Sequence, residues 1–132
     1  MGADIHIAAE IFCKKTGKFH FLHDYGDKEC IEWEHNPSGR NYELFGTLAG
    51  VRRAGQICEP RGIPSDASAL MLEYLDSYSY DGHSHSYFTL HELFTEPKME
   101  QHKPTPFYRW IQFLGSVGIS HQDIRICFFF DN

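Results

Sequence analysis

The chain reads as a single α+β domain over 1–132, an antiparallel or mixed sheet flanked by helices, and three observations predict it. Strand patterns lie near both ends, helical spacings bounded by capping residues fill the middle, and 132 residues suit one domain better than two. At 42% hydrophobic and 23% charged, the chain has apolar surface for a core and too little charge for a disordered tail.

Ile5, Ile7, Ala9 and Ile11 alternate with Asp4, His6, Ala8 and Glu10, which predicts a strand from Ala3 to Cys13. Lys14-Lys15-Thr16-Gly17 turns it, Lys18 to Asp24 with Phe19 and Phe21 returns as a hairpin arm, and Glu29 to Glu34 predicts a short third strand. Asn41 caps a helix from Tyr42 to Ala49, with Leu44, Phe45 and Leu48 inward and Gly50 at its end. Gly55 to Ser65, holding Pro60 and Pro64, reads as an ordered connector without regular structure.

Ser68 caps a second helix whose Leu70, Met71, Leu75 and Tyr78 share one face. Thr89-Leu90-His91-Glu92 matches the capping box and starts a short helix, after which Glu96 to Lys103 reads as an exposed loop. Thr105-Pro106 opens a helix carrying Phe107, Trp110, Ile111, Leu114 and Val117, stopped by Gly118. Ile124 to Phe130 is apolar throughout except for Arg125, so it predicts a central strand covered on both sides and adjacent to the N-terminal one.

Net charge is −6, which argues against a duplex-DNA partner because such binders need a broad basic face. No apolar run reaches the roughly 18–20 residues of a membrane span, and the start lacks a signal peptide, so no membrane and a cytoplasmic location are expected. Cys13, Cys30, Cys58 and Cys127 read as buried thiols, and Cys13, His20, His23 and Cys30 lack the Cys-x-x-Cys anchor of a zinc knuckle. Charge is uneven: Arg40, Arg52, Arg53 and Arg61 face only Glu43 and Glu59 between Asn36 and Ile63, so a small anionic ligand fits there.

Period-two alternation places Asp4 and His6 together, with Glu10 further along the same face. A carboxylate beside an imidazole suits a divalent metal such as Zn, Mn or Ni, although strands often carry such a polar face merely toward solvent. In Asp81-Gly82-His83-Ser84-His85-Ser86, strand geometry aims His83 and His85 one way and Ser84 and Ser86 the other. His-x-His can ligate one ion, a neutral His can act as general base, and Ser86 can hydrogen-bond a ligand or a loop. Asp131 ends the apolar strand, where the sheet fixes a carboxylate while solvent reaches it. Arg40, Arg52 and Arg61 suit phosphate, Asn41 and Tyr42 suit a base or sugar, and Gly62 permits close approach.

The set Met1-Gly-Ala-Asp-Ile-His6, Arg40-Asn-Tyr-Glu-Leu-Phe45, Leu48-Ala-Gly-Val-Arg52, Pro60-Arg-Gly-Ile-Pro64, His83-Ser-His-Ser86 with Thr89-Leu90, and Phe128-Phe-Phe-Asp-Asn132 resembles a family of small tailed-phage and prophage proteins. The resemblance implies a phage or prophage accessory protein in host cytoplasm and no particular activity. Its pattern varies at the position of His85, which implies that His83 is the better ligand.

These readings converge on a protein that handles a phosphorylated nucleotide or similar small anion, with His83 and Asp4 catalytic if it is a metal-dependent hydrolase or phosphodiesterase. A metal held by Asp4, His6, His83 and Asp131 would then generate hydroxide, with Arg52 and Arg61 neutralising phosphate charge. The alternatives are a non-catalytic, often homo-oligomeric, binder that sequesters a nucleotide signal of host defence, or an interaction protein with no small-molecule ligand.

Overall fold

Alternation along the N-terminal strand is met by an equally regular partner at the other end of the sequence. In the computed structural model, which describes residues 2–22 and 38–131, β1 (Asp4–Cys13), β2 (Lys18–Phe21), β3 (His83–Thr89) and β4 (Ile124–Asp131) form one antiparallel sheet in the order β2-β1-β4-β3. The first and last strands are adjacent, in register from Asp4 opposite Asp131 to Ile11 opposite Ile124. The expected strand over Glu29–Glu34, with His23 and Cys30, lies outside the described residues.

Capping side chains set the helices. The Asn41 carboxamide accepts from the Leu44 N–H at the start of α1 (Tyr42–Ala49), and Gly50 closes it at φ 73°, where a side chain would be strained. Ser68 caps α2 (Ala69–Leu75), the Thr89–Glu92 capping box starts α3 (Leu90–Thr95), and Thr105 with Pro106 starts α4 (Pro106–Gly115).

Ile5, Ile7, Ala9 and Ile11 of β1 and Ile124, Ile126, Phe128 and Phe130 of β4 pack with Leu44, Phe45 and Leu48 of α1, Leu90 and Leu93 of α3, and Phe107 and Ile111 of α4. The opposite face carries a smaller apolar cluster, Ala8, Cys127 and Phe129 under Met71 and Leu75 of α2. β4 is therefore covered on both faces, and every residue from Ile124 to Phe130 is buried.

Three local expectations are corrected. α2 buries Met71 and Leu75 but leaves Leu70 and Leu72 in solvent, and Tyr78 falls beyond it. α4 ends at Gly115, three residues before the expected stop, leaving Val117 exposed. Pro97–His102 is a short 3-10 helix rather than an exposed loop, because its three-residue turn brings Met99 and His102 onto one side, where both are buried. Among the described residues no helix is long and apolar enough to cross a membrane.

Candidate functional site

The adjacency of β1 and β4 brings together polar groups from both ends of the sequence. His6 Nε2 lies 2.9 Å from Asp131 Oδ1. A carboxylate only accepts, so Nε2 carries the proton and Asp131 fixes the tautomer, while His6 Nδ1 has no hydrogen-bond partner among the described residues. The imidazole lies between two rings, stacked on Phe129 at 4.8 Å and tilted against Tyr78 at 4.3 Å. Both members stay in reach of solvent, with side chains 22% and 27% exposed.

Beside this pair, Arg40 forks onto Asp4 through Nε to Oδ1 at 2.8 Å and Nη2 to Oδ2 at 3.2 Å. That hydrogen bonding holds the Asp4 carboxyl below the usual carboxylate range, against the effect of its slight burial. Nη1 of Arg40 makes no hydrogen bond among the described residues. Asp4 thus faces a guanidinium and Asp131 an imidazole N–H.

His83 does not join it. β3 is bulged between His83, opposite Phe130, and Ser86, opposite Phe128: three steps on one strand match two on the other. Ser84 absorbs the extra residue at φ 55°, and the alternation resets there. His83 consequently sits on the face of Phe130, its ring 6.2 Å from that ring, whereas His85 stacks on Phe129 at 5.1 Å. The two histidines therefore point to opposite faces, correcting the expectation that they share one. It is His85 that lies on the face of His6, with Phe129 between them and its own Nε2 donating to the Leu75 carbonyl.

The arginine-rich segment is largely engaged within the fold. Arg61 forks onto Glu92 at 2.9 and 2.6 Å, donates to the Tyr87 carbonyl, and lies 4.7 Å over the Phe88 ring. Its backbone N–H donates to the buried Ser86 hydroxyl, and Gly62 N–H donates to the His85 carbonyl, so the connector seals the outer edge of β3. The Arg61 hydrogen bond lowers the Glu92 carboxyl below its usual range. Asn41 serves as the helix cap, Tyr42 accepts the Ala3 N–H through its hydroxyl, Arg53 approaches Glu43 at 3.5 Å, and Arg52 lies 5.8 Å over the Tyr42 ring at φ 67°.

A second ionic group escaped the sequence reading. Glu10, 0% exposed, accepts Nε and Nη2 of Arg125 at 3.0 and 2.7 Å and the Ser68 N–H at 2.9 Å. Arg125 reaches Asp66 as well, and Phe19 stacks on its guanidinium at 3.5 Å. Burial opposes the charge on Arg125, and the Glu10 and Asp66 carboxylates outweigh it, holding its pKa above the usual value. A cleft of about 320 Å³, lined by Phe12, Phe19, Asp66 and Ser68 among others, opens beside it. The available signal was the one charged residue in the Ile124–Phe130 run, on the same alternation phase as Glu10 across the sheet.

Among the described residues no three His, Cys, Asp or Glu side chains are grouped to hold a metal ion. The expected set of Asp4, His6, His83 and Asp131 divides, with His83 on the other face and the Asp4 oxygens taken by Arg40. Compared with protein-family models, curated proteins and solved structures, the chain gives no match.

Proposed function

We propose that the sheet end formed by Asp4, His6, Arg40 and Asp131 binds a small phosphate ester and moves a proton on it. One observation carries this reading: Asp131 orients the His6 imidazole at 2.9 Å through Nε2 and leaves Nδ1 without a hydrogen bond among the described residues, in a side chain that stays 22% exposed next to the Asp4–Arg40 pair. His6 takes the proton of an attacking water, the new P–O bond forms as the ester bond breaks, and the leaving oxygen is protonated in turn. Arg40 stands beside that chemistry as the cation for the phosphate oxygens. The reading moves proton transfer from His83 to His6 and uses no metal. It fits the phage accessory role implied by the sequence resemblance.

A second reading has its own support: Asn41, Tyr42, Arg61 and Ser86 all hold the fold together, as expected if the motifs serve an interaction protein. Incubation with linear and cyclic nucleotides and sugar phosphates in chelator, followed by mass analysis of the small molecules, separates them. The proposed activity gives a new product whose formation falls at least about 100-fold in His6→Gln. Ligand depleted but recovered intact after heating makes the protein a sequestering binder, and free, intact compounds throughout leave the interaction protein.

A further inference from the structure

The segment joining α2 to β3 lies over His6 through the ring of Tyr78. Tyr78 turns inward, its ring 4.3 Å from His6 and 5.6 Å from Phe129. The segment is held close at its far end: a Cβ on Gly82 would lie 3.2 Å from the Phe129 ring, so a side chain there would press that ring back by a few tenths of an ångström. Between these anchors Ser79 adopts φ 51°, a left-handed conformation that is unfavourable for a residue with a Cβ.

That strained turn displays Tyr80, which is 94% exposed, far above Phe113 at 58% and Val117 at 52%, the next most exposed large apolar residues described. Tyr78 is itself 41% exposed. Core packing does not account for Tyr80, and strained backbone persists where the surrounding structure or a function requires it. An exposed aromatic ring is a stacking surface for a flat ligand, and stacking accepts any nucleobase because each has a π-face.

We infer, resting on the phosphate-ester reading above, that the ligand is a nucleoside monophosphate or a similarly small nucleotide whose base stacks on Tyr80 while its phosphate lies at His6 and Arg40. Tyr80 follows Tyr78 by two residues within the 3-10 turn Ser79–Asp81, so the exposed ring belongs to the same short segment whose Tyr78 ring covers His6. The net charge of −6 disfavours a polymeric nucleic acid and leaves the single nucleotide as the fitting member of this class.

Calorimetric titration of the full chain in chelator with adenosine monophosphate and with ribose 5-phosphate tests this, using wild type, Tyr80→Ala, Tyr80→Phe and Arg40→Ala. Wild type is expected to bind the nucleotide roughly ten-fold tighter, the size of one base–aromatic stack. Tyr80→Ala removes that advantage without changing ribose 5-phosphate affinity, and Tyr80→Phe keeps it. Equal affinities in wild type, or a nucleotide advantage that survives Tyr80→Ala, overturn the base-stacking inference. The phosphate-ester reading then still stands if Arg40→Ala weakens both compounds. If neither compound binds wild type, both readings fall.

Discussion

Two ends of one strand face, three pleats apart, hold the same kinds of side chain and come to lie in opposite surroundings. At one end of β1, Glu10 meets Arg125 under α2 and the Asp66–Ser68 segment, and almost no water reaches either. At the other, Asp4 meets Arg40 and His6 meets Asp131, with Tyr78 as a partial cover and all four in contact with solvent. Alternation alone makes the two ends equivalent. The cover makes them differ: a sealed ion pair fixes chain segments to the sheet, whereas an open one has protons and charges within reach of a ligand.

The largest expected effect breaks the sealed end. Glu10→Ala leaves Arg125 buried against a missing carboxylate and should destabilise the fold by about 3–5 kcal/mol in chemical denaturation. Replacing both partners, Glu10→Leu with Arg125→Met, should recover much of that loss, because the cost lies in the unpaired charge. A single variant as stable as wild type would show that the pair does not anchor this end.

Arg61→Ala comes next. It removes the fork on Glu92 and the guanidinium's bond to the Tyr87 carbonyl while keeping the backbone bonds of Arg61 and Gly62 to β3, and, discounted for partial exposure, should cost about 1–2 kcal/mol. The fork also sets a pH dependence. The folded-state Glu92 pKa is lowered, so its stabilisation is present above the unfolded carboxylate pKa and is lost as pH falls through the folded one. Denaturation midpoints of wild type and Arg61→Ala should therefore converge in acid.

A smaller effect belongs to His102, buried under α1. Thr47 donates its hydroxyl proton to the Glu43 carbonyl, so His102 Nε2 must donate to Thr47 Oγ1 at 2.8 Å. Burial lowers the His102 pKa, so the neutral form is favoured in the folded state and stability falls as pH drops below the unfolded value of about 6.5. Urea midpoints at pH 7.5 and 5.5 should differ more in wild type than in His102→Gln, and equal differences would contradict the assignment.

The smallest stability effect is expected at the open end. Arg40→Ala removes an exposed pair and should leave the melting temperature unchanged within error while weakening phosphate-ester binding. A large loss of stability would place Arg40 with the sealed pair instead.

Much of the fold was legible because its signals are local: alternation in β1, side-chain caps at Asn41, Ser68, Thr89 and Thr105, and the apolar run of β4. The site was legible only in part. Asp4, His6 and Asp131 follow from alternation once the two end strands are paired, and Arg40 joins them over 36 residues. The bulge that turns His83 away has no local signature, since Ser84 takes a left-handed φ without being Gly or Asn. Partner choice was equally hidden: a count of arginines says nothing about Glu92 claiming Arg61 across 31 residues or Glu10 claiming Arg125 across 115.

The central claim, that the open end of the sheet is where ligand chemistry occurs, is tested most directly by following the histidine side chains by nitrogen-detected NMR during titration with adenosine monophosphate. The account predicts a His6 ring with Nε2 protonated and Nδ1 free, whose Nδ1 resonance moves with ligand while those of the buried His102 stay fixed. Saturating ligand that leaves the His6 resonances unmoved, or a His6 ring protonated on Nδ1 alone, would contradict it.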